Sequence, residues 1–468
     1  MSFDDFDDDS DAEFEQAITS SDVMVRARAL AARGAEMLRT HSEVHLAVIY
    51  LEEAWEVFCA RNEIGEAANY AVAYGNALCH EKNYAKAEEV YLAGADFAKQ
   101  TLDTGNEILC LANIGLVSRR QKNFEKASEY YGLARKLAVE TSHWMVAHLS
   151  NEYARALRKI GAFDEAADVL REGVADARVS GDDFPMVMHD QELAVVLMEQ
   201  GKYEEALAVA TEAFALAEYV ENIREMQRSQ FNKARALNLL GRYEAALVEL
   251  AALGERKEFQ FKLKHRMRVD FELAKAQAGL GFWDEAGALL RKLVPLFESV
   301  LLRKEAQAAR YQIILNHMVM GNSLDAEQVC AEFMERKEFA SKDDLRGVIE
   351  TMASIYRDRA DWAGVISSLE QLLEDPVNQF ADWFPSVLQR LGVAYFKVGR
   401  IDEARASVAS LVAAKNSRLP LGDAYSVMAG LAELDGDWSL ARRFGRKAIK
   451  AYLAAGQGYK AEDLAKYL

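Results

Sequence analysis

The turn of one helical hairpin recurs along almost the whole chain at a spacing close to 40 residues. It reads as Tyr84 with Ala87, Phe124 with Ala127, Phe163 with Ala166, Tyr203 with Ala206, Tyr243 with Ala246 and Trp283 with Ala286. In the last four, Gly161, Gly201, Gly241 and Gly281 stand two residues before the aromatic. Weaker copies have their hinge at Val44, Ser323, Trp362, Ile401 and Trp438. Eleven copies, 37 to 40 residues apart, imply a stacked array and not a globular domain around one central pocket.

Stacked hairpins share a continuous core, so the usual division of 468 residues into about three domains does not apply. Only five prolines and 51% hydrophobic residues favour helix almost throughout. No apolar run approaches the roughly 20 residues that cross a bilayer, and the acidic start lacks the pattern of a secretory leader. Cys59, Cys79, Cys110 and Cys330 form no CxxC pair and are expected as reduced, mostly packed thiols in a cytoplasmic protein. The formal charge of −18 argues against a nucleic-acid surface. Much of it is local, since residues 1 to 15 carry eight acids and no Lys or Arg.

The unit hinged at Tyr203 illustrates the expected packing. A first helix over about Asp183–Gln200 presents Leu193, Ala194 and Leu197, and Gly201 stops it in a left-handed conformation that costs glycine no Cβ clash. Asp182 or Asp183 can cap its start. A second helix buries Tyr203, Ala206, Ala210 and Ala213, so that truncating a fully buried Tyr203 should cost roughly 3–5 kcal/mol.

The small residue in helix one, the aromatic hinge and the alanine three residues later resemble the tetratricopeptide repeat family over about residues 22–455. Gly75, Tyr84 and Ala87 carry the resemblance, as do Gly115, Phe124 and Ala127, and Ala194, Tyr203 and Ala206. The 40-residue unit is similar to the long-repeat subset found in peptide-sensing bacterial regulators. The resemblance implies an all-α, right-handed superhelical solenoid of about eleven antiparallel hairpins, with the first helix of each lining the concave face. Ile314, Ser323 and Val365 depart from the pattern, so irregular packing is expected there. A soft boundary is expected near residues 336–341, dividing a regular array (21–336) from a less regular one (337–457). A capping helix is expected over 458–468, with Lys460, Glu462, Asp463 and Lys466 facing water.

No motif announces a reaction. Gly456-Gln-Gly458-Tyr-Lys-Ala461 fits a dinucleotide fingerprint only in letters, because it lacks the βαβ context. His41, Glu43 and His45 lie in the wrong order for a zinc helix and straddle a hinge, where one histidine can cap a helix. His80 ends a helix, a place favourable to a histidine. No catalytic residue, cofactor or metal is expected.

Counting back 15, 12, 8 and 5 residues from a hinge selects one face of each first helix. It yields His148, Asn151, Arg155 and Arg158, then Arg228, Phe231, Arg235 and Asn238, then Arg268, Phe271 and Lys275, with Arg119 and Tyr311 nearby. Two readings stay open. The charges solvate the face and pair with Glu192, Glu225 or Glu272, or the strip holds a protein segment or extended peptide of acidic or carboxylate character, guanidinium groups taking its carboxylates. The acidic residues 1–20, with Phe3, Phe6 and Phe14, are expected as a disordered tail, with a gate over the groove or a docking motif as alternatives.

The function expected is a non-catalytic protein- or peptide-binding scaffold. The alternatives are a ligand-responsive receptor without its own DNA-binding domain and an RNA-binding solenoid. Oligomeric state is open.

Overall fold

The computed structural model describes residues 7–40, 43–255, 262–413 and 421–466. Its regular elements there are all helical, and they fall into two compact units, Met1–Gln260 and Phe261–Leu468.

The first unit opens with α1 (Asp7–Ile18) and continues as six hairpins: α2 (Val23–Thr40) with α3 (Val44–Ala60), α4 (Ile64–His80) with α5 (Tyr84–Gln100), α6 (Thr104–Arg120) with α7 (Phe124–Glu140), α8 (Val146–Lys159) with α9 (Phe163–Ser180), α10 (Asp183–Glu199) with α11 (Tyr203–Tyr219), and α12 (Ile223–Leu239) with α13 (Tyr243–Glu255). The second unit holds five more: α14 (Leu263–Gly279) with α15 (Trp283–Ser299), α16 (Arg303–Val319) with α17 (Ser323–Met334), α18 (Lys342–Asp358) with α19 (Trp362–Glu370), α20 (Phe384–Lys397) with α21 (Ile401–Ala413), and α22 (Gly422–Leu434) with α23 (Trp438–Ala454). It closes with α24 (Gly458–Ala465). Each second helix begins on the hinge residue identified from the sequence. The fold is an all-α helical-repeat array.

The turns have a local cause. Two residues before the hinge the backbone is left-handed, at Gly201 (φ 77°) but also at Lys82 (62°), Lys122 (64°) and Ala360 (56°). Asn83, Asn123, Asp361 and Asp437 then accept a backbone N–H at the start of the second helix. Asp182 caps α10 through the N–H of Phe184.

The alanines three residues past the hinge, Ala87, Ala127, Ala166, Ala206, Ala246 and Ala286, are fully buried. The hinge aromatics are not: Tyr203 is only half-buried. It lies at the rim of the turn, so its truncation should cost about 1–2 kcal/mol rather than the larger figure for a buried ring. First helices of consecutive hairpins also touch one another, α2 with α4, α4 with α6, α8 with α10 and α10 with α12, and in the second unit α14 with α16, α16 with α18 and α20 with α22. No pair of second helices does so to that extent among the described residues. Within each unit the first helices therefore form the tighter, inner layer.

Three expectations change. The acidic N-terminal segment is not structureless over residues 7–18, because α1 packs on the first hairpin. Phe14 lies 5.8 Å from the Tyr50 ring, the Arg33 guanidinium stands over it at 5.7 Å, and Ile18 joins the cluster around Leu30 and Phe58. Phe3 and Phe6 lie outside the described residues. The division between units falls at residue 260 and not near 336–341. That stretch stays attached because Gln307 donates from Nε2 to the carbonyls of Phe333 (2.9 Å) and Arg336 (3.0 Å). Lastly, Lys460 of α24 turns inward to Asp423 (3.0 Å), while Glu462, Asp463 and Lys466 are exposed.

Candidate functional site

In the first unit the inner layer carries a run of alternating charges across four first helices. Arg119 of α6 approaches Glu152 of α8 (3.4 Å). Arg155 bridges Glu152 (2.7 Å) and Glu192 of α10 (2.6 Å). Arg228 of α12 reaches Glu192 (3.6 Å) and Glu225 (3.1 Å). The side chains of Glu152, Glu192 and Glu225 are nearly buried, and charges so placed must be paired. Burial alone would lower the Arg155 pKa, but Glu192 and Glu152 outweigh it and raise it. Arg158 pairs with Glu199 at 2.6 Å.

The asparagines expected to face a peptide are turned into the packing. Asn151 is 1% exposed, with Oδ1 3.1 Å from Nδ1 of His189, and Asn238 is also buried. Arg235 stands over the Phe231 ring at 5.9 Å. His148 is exposed. In the second unit Arg268 pairs with Glu305 (2.8 Å) and Lys275 with Glu272 (3.0 Å). Phe271 packs edge-on against Phe297 at 6.2 Å. Tyr311 rests against the cluster of Ile314, Cys330 and Phe333.

A second, more open arrangement lies on the inner layer of α2, α4 and α6. Here a groove of about 500 Å³ has Leu38, Val72, Leu109 and Leu116 among its walls and Asn69, Asn76 and Asn106 on its polar side. Asn106 donates to Asn69 Oδ1 (3.1 Å) and Asp103 (2.7 Å), and the Tyr91 hydroxyl donates to Asn76 Oδ1 (2.8 Å). The amide nitrogens of Asn69 and Asn76 and the oxygen of Asn106 have no protein partner among the described residues. Arg39 and Arg120 also line the groove. Arg39 lies 3.7 Å from Glu36, whereas Arg120 has no ion pair among the described residues. The same count from hinge Tyr84 selects Asn69, Val72, Asn76 and Cys79. The signal was present in the sequence, but uncharged residues concealed it.

The minor motifs resolve into structure. His45 pairs through Nδ1 with Glu81 at 2.6 Å; His41 lies outside the described residues. Gly456 (φ 71°) makes the turn between α23 and α24. Among the described residues no three His, Cys, Asp or Glu side chains converge as metal ligands, and no helix is long and apolar enough to cross a membrane. Cys79, Cys110 and Cys330 are buried free thiols and Cys59 is exposed. Burial pushes Cys110 up to about 12.

Among the described residues, helix hairpins follow one another in each unit, and most consecutive first helices within a unit touch, which defines a helical-repeat protein. Among the solved structures it resembles are a tetratricopeptide repeat protein and two Rap proteins. A tetratricopeptide repeat protein from Parabacteroides merdae aligns over 60% of this chain and 97% of its own at 14% identity and TM-score 0.43. The apo form of RapI covers 58% and 98% at 14% and 0.47. A Rap protein complexed with Competence and Sporulation Factor covers 77% and 99% at 13% and 0.46. No family model and no curated protein matches the sequence. At such identities the likeness concerns fold, and the fold itself is argued from the hairpins above.

Proposed function

We propose that this protein is a non-catalytic scaffold that binds an extended peptide or protein segment along its first helices, seated in the groove across α2, α4 and α6. The observation that carries this reading is the set of asparagine side chains with unused hydrogen-bonding atoms beside an apolar floor. An asparagine amide presents a donor and an acceptor, the complement of a peptide unit whatever its side chain. Apolar walls with a few convergent polar groups are the usual make-up of a binding cleft. Arg39 and Arg120 add preference for an acidic side chain or terminal carboxylate. The charged run centred on Arg155 serves a different end, since its cations are already matched to nearly buried glutamates.

Selection of binders from a random peptide library on the intact protein tests this. Selected peptides should be rich in Asp or Glu and should bind an Asn69→Ala/Val72→Glu variant at least about tenfold more weakly, as expected for two lost hydrogen bonds and a blocked, negatively charged floor. Equal binding to a variant with unchanged helicity and unfolding would sink the groove assignment. The acidic N-terminus enters this reading only through residues 1–6, because α1 is already packed on the first hairpin. Deleting them should tighten binding of the same peptides when they gate the groove and leave it unchanged when they do not.

A further inference from the structure

The second unit contains an arginine cluster that the peptide groove does not use. It surrounds a cavity of about 400 Å³ between the end of α15, the first two turns of α16 and the turn after α17. Glu298, Leu301, Arg303, Ala306, Gln307, Arg310, Arg336, Glu338 and Phe339 form its wall, three guanidinium groups against two carboxylates.

Only Glu298 is engaged. Arg310 donates from Nη2 to its Oε1 at 2.5 Å, and Arg336 donates from Nη1 to the same oxygen. These bonds hold the Glu298 carboxyl below its ordinary pKa, Arg310 contributing most. Arg310 is 7% exposed and also donates to Gln307 Oε1 at 2.9 Å. Its Nε, fully buried, has no hydrogen-bond partner. Arg303 has no ion pair among the described residues and lies 4.7 Å over the Phe339 ring. Glu338 is exposed at the rim.

A guanidinium has five N–H donors, so one carboxylate leaves this cluster far short of acceptors. A purely structural clamp would need Arg310, Glu298 and Arg336 but neither Arg303 nor the open volume. Counting all five charged side chains, the wall has one positive charge in excess.

We propose that this cavity binds the phosphate monoester of a compact organic molecule. A phosphate monoester carries about −1.5 to −2 charges at neutral pH and three acceptor oxygens, matching donors that arrive from three directions. A carboxylate is satisfied by one bidentate arginine and would leave the other two unused. Leu301, Ala306 and the Phe339 ring supply an apolar wall for the ester's organic part.

The test is calorimetric titration of the full chain with phenyl phosphate, inorganic phosphate and benzoate. Phenyl phosphate should bind most tightly, inorganic phosphate more weakly and benzoate least. Arg303→Ala and Arg336→Ala should each weaken phenyl phosphate by about tenfold, the loss of one charge-assisted hydrogen bond. Glu338→Gln should strengthen it. Arg303 is exposed, so Arg303→Ala should unfold as the parent does, which separates lost binding from lost fold. Absence of binding by phenyl phosphate, binding of benzoate as tight as phenyl phosphate, or the parental affinity in both arginine variants overturns the proposal. The groove variant Asn69→Ala/Val72→Glu should bind phenyl phosphate normally, so the two sites fail independently.

Discussion

The hairpin of α4 and α5 and the hairpin of α16 and α17 solve one packing problem with opposite divisions of volume. Nine residues before the hinge and seven after it, the two helices of a unit cross at their closest. In the first hairpin those positions hold Gly75 and Tyr91, and a Cβ on Gly75 would sit 2.3 Å from the Tyr91 ring. In the other they hold Ile314 and Cys330, both fully buried in one cluster. Gly115 against Tyr131 repeats the first solution, and Ala274 with Leu290 lies between the two. In these four hairpins the combined volume at the two positions is similar, whereas Ala194 with Ala210 and Gly392 with Val408 add up to less. Ile314 departs from a small-residue rule, yet its partner Cys330 is correspondingly small and both are fully buried.

Importing one solution into the other hairpin gives the largest expected effect. Gly75→Ile should destabilise by more than about 3 kcal/mol, since the added side chain meets a ring with nowhere to move. Adding Tyr91→Cys should recover part of that loss, with a coupling of about 2 kcal/mol in a double-mutant cycle read by urea unfolding. Strictly additive losses would break the idea of a shared volume.

A second repeat position holds opposite charges in two hairpins. Thirteen residues before the hinge stand Asp190 in the first unit and Arg310 in the second, both buried. Arg310 has Glu298 and Gln307. For Asp190, burial pushes the carboxyl up to about 7, with Glu212 reinforcing the shift and Arg178 opposing it. An acid whose folded pKa is raised favours the folded state less as pH climbs from 3.8 to about 7. Its neighbour His189 is pushed down to about 4 by burial, with Arg135 adding to it. That neutral imidazole adds stability as pH rises from about 4 to 6.5. The two slopes oppose each other in the parent. Asp190→Asn should therefore gain on the order of 2–4 kcal/mol at pH 8 and little at pH 4. The variant should also expose a rise in stability between pH 4 and 6.5. A gain of the same size at both ends would show that Asp190 is already neutral or solvated.

The hinges were legible from sequence because every determinant lies within a few residues: a left-handed residue, a cap, an apolar start and an alanine one turn later. The charged run was only half legible. Counting back 15, 12, 8 and 5 residues finds Arg155 and Arg228, and Glu192, Glu225 and Glu272 are expected as partners, but the count passes over Glu152, 11 before its hinge. Glu152 and Glu192 sit on the flank of the chosen face and meet an arginine of a neighbouring first helix, while Glu272 pairs with Lys275 of its own helix. Pairing between repeats depends on how helices lean together, which a count within one helix does not contain. The helix α1 was hidden by its composition, although Phe14 and Ile18, four apart, offered a short apolar stripe.

The same repeat position can test how much the pairing matters. Arg228 and Arg268 both stand 15 residues before a hinge. Arg228 serves two nearly buried glutamates, whereas Arg268 meets a more exposed Glu305. Arg228→Ala should cost about 1–2 kcal/mol because it leaves buried acid uncompensated, and Arg268→Ala no more than about 0.5 kcal/mol, as for surface pairs. Equal losses in urea unfolding would mean that the charged run in the first unit is no more than surface decoration.

The smallest effect concerns the turn itself. Gly201 in the first unit and Ala360 in the second occupy the same left-handed place, two residues before the hinge. Glycine adopts it without penalty, whereas alanine holds its Cβ against the adjacent carbonyl. Alanine contributes nothing there in return, because Ala360 is exposed. Ala360→Gly should stabilise by about 0.5–1 kcal/mol, the relief of strain less the extra freedom glycine gives the unfolded chain. Lys82 and Lys122, in the same conformation, should show the same sign, so a uniform gain at all three would establish one turn geometry across both units. A loss at Ala360 alone would mean that the hinge before Trp362 is shaped by its neighbours and not by the left-handed residue.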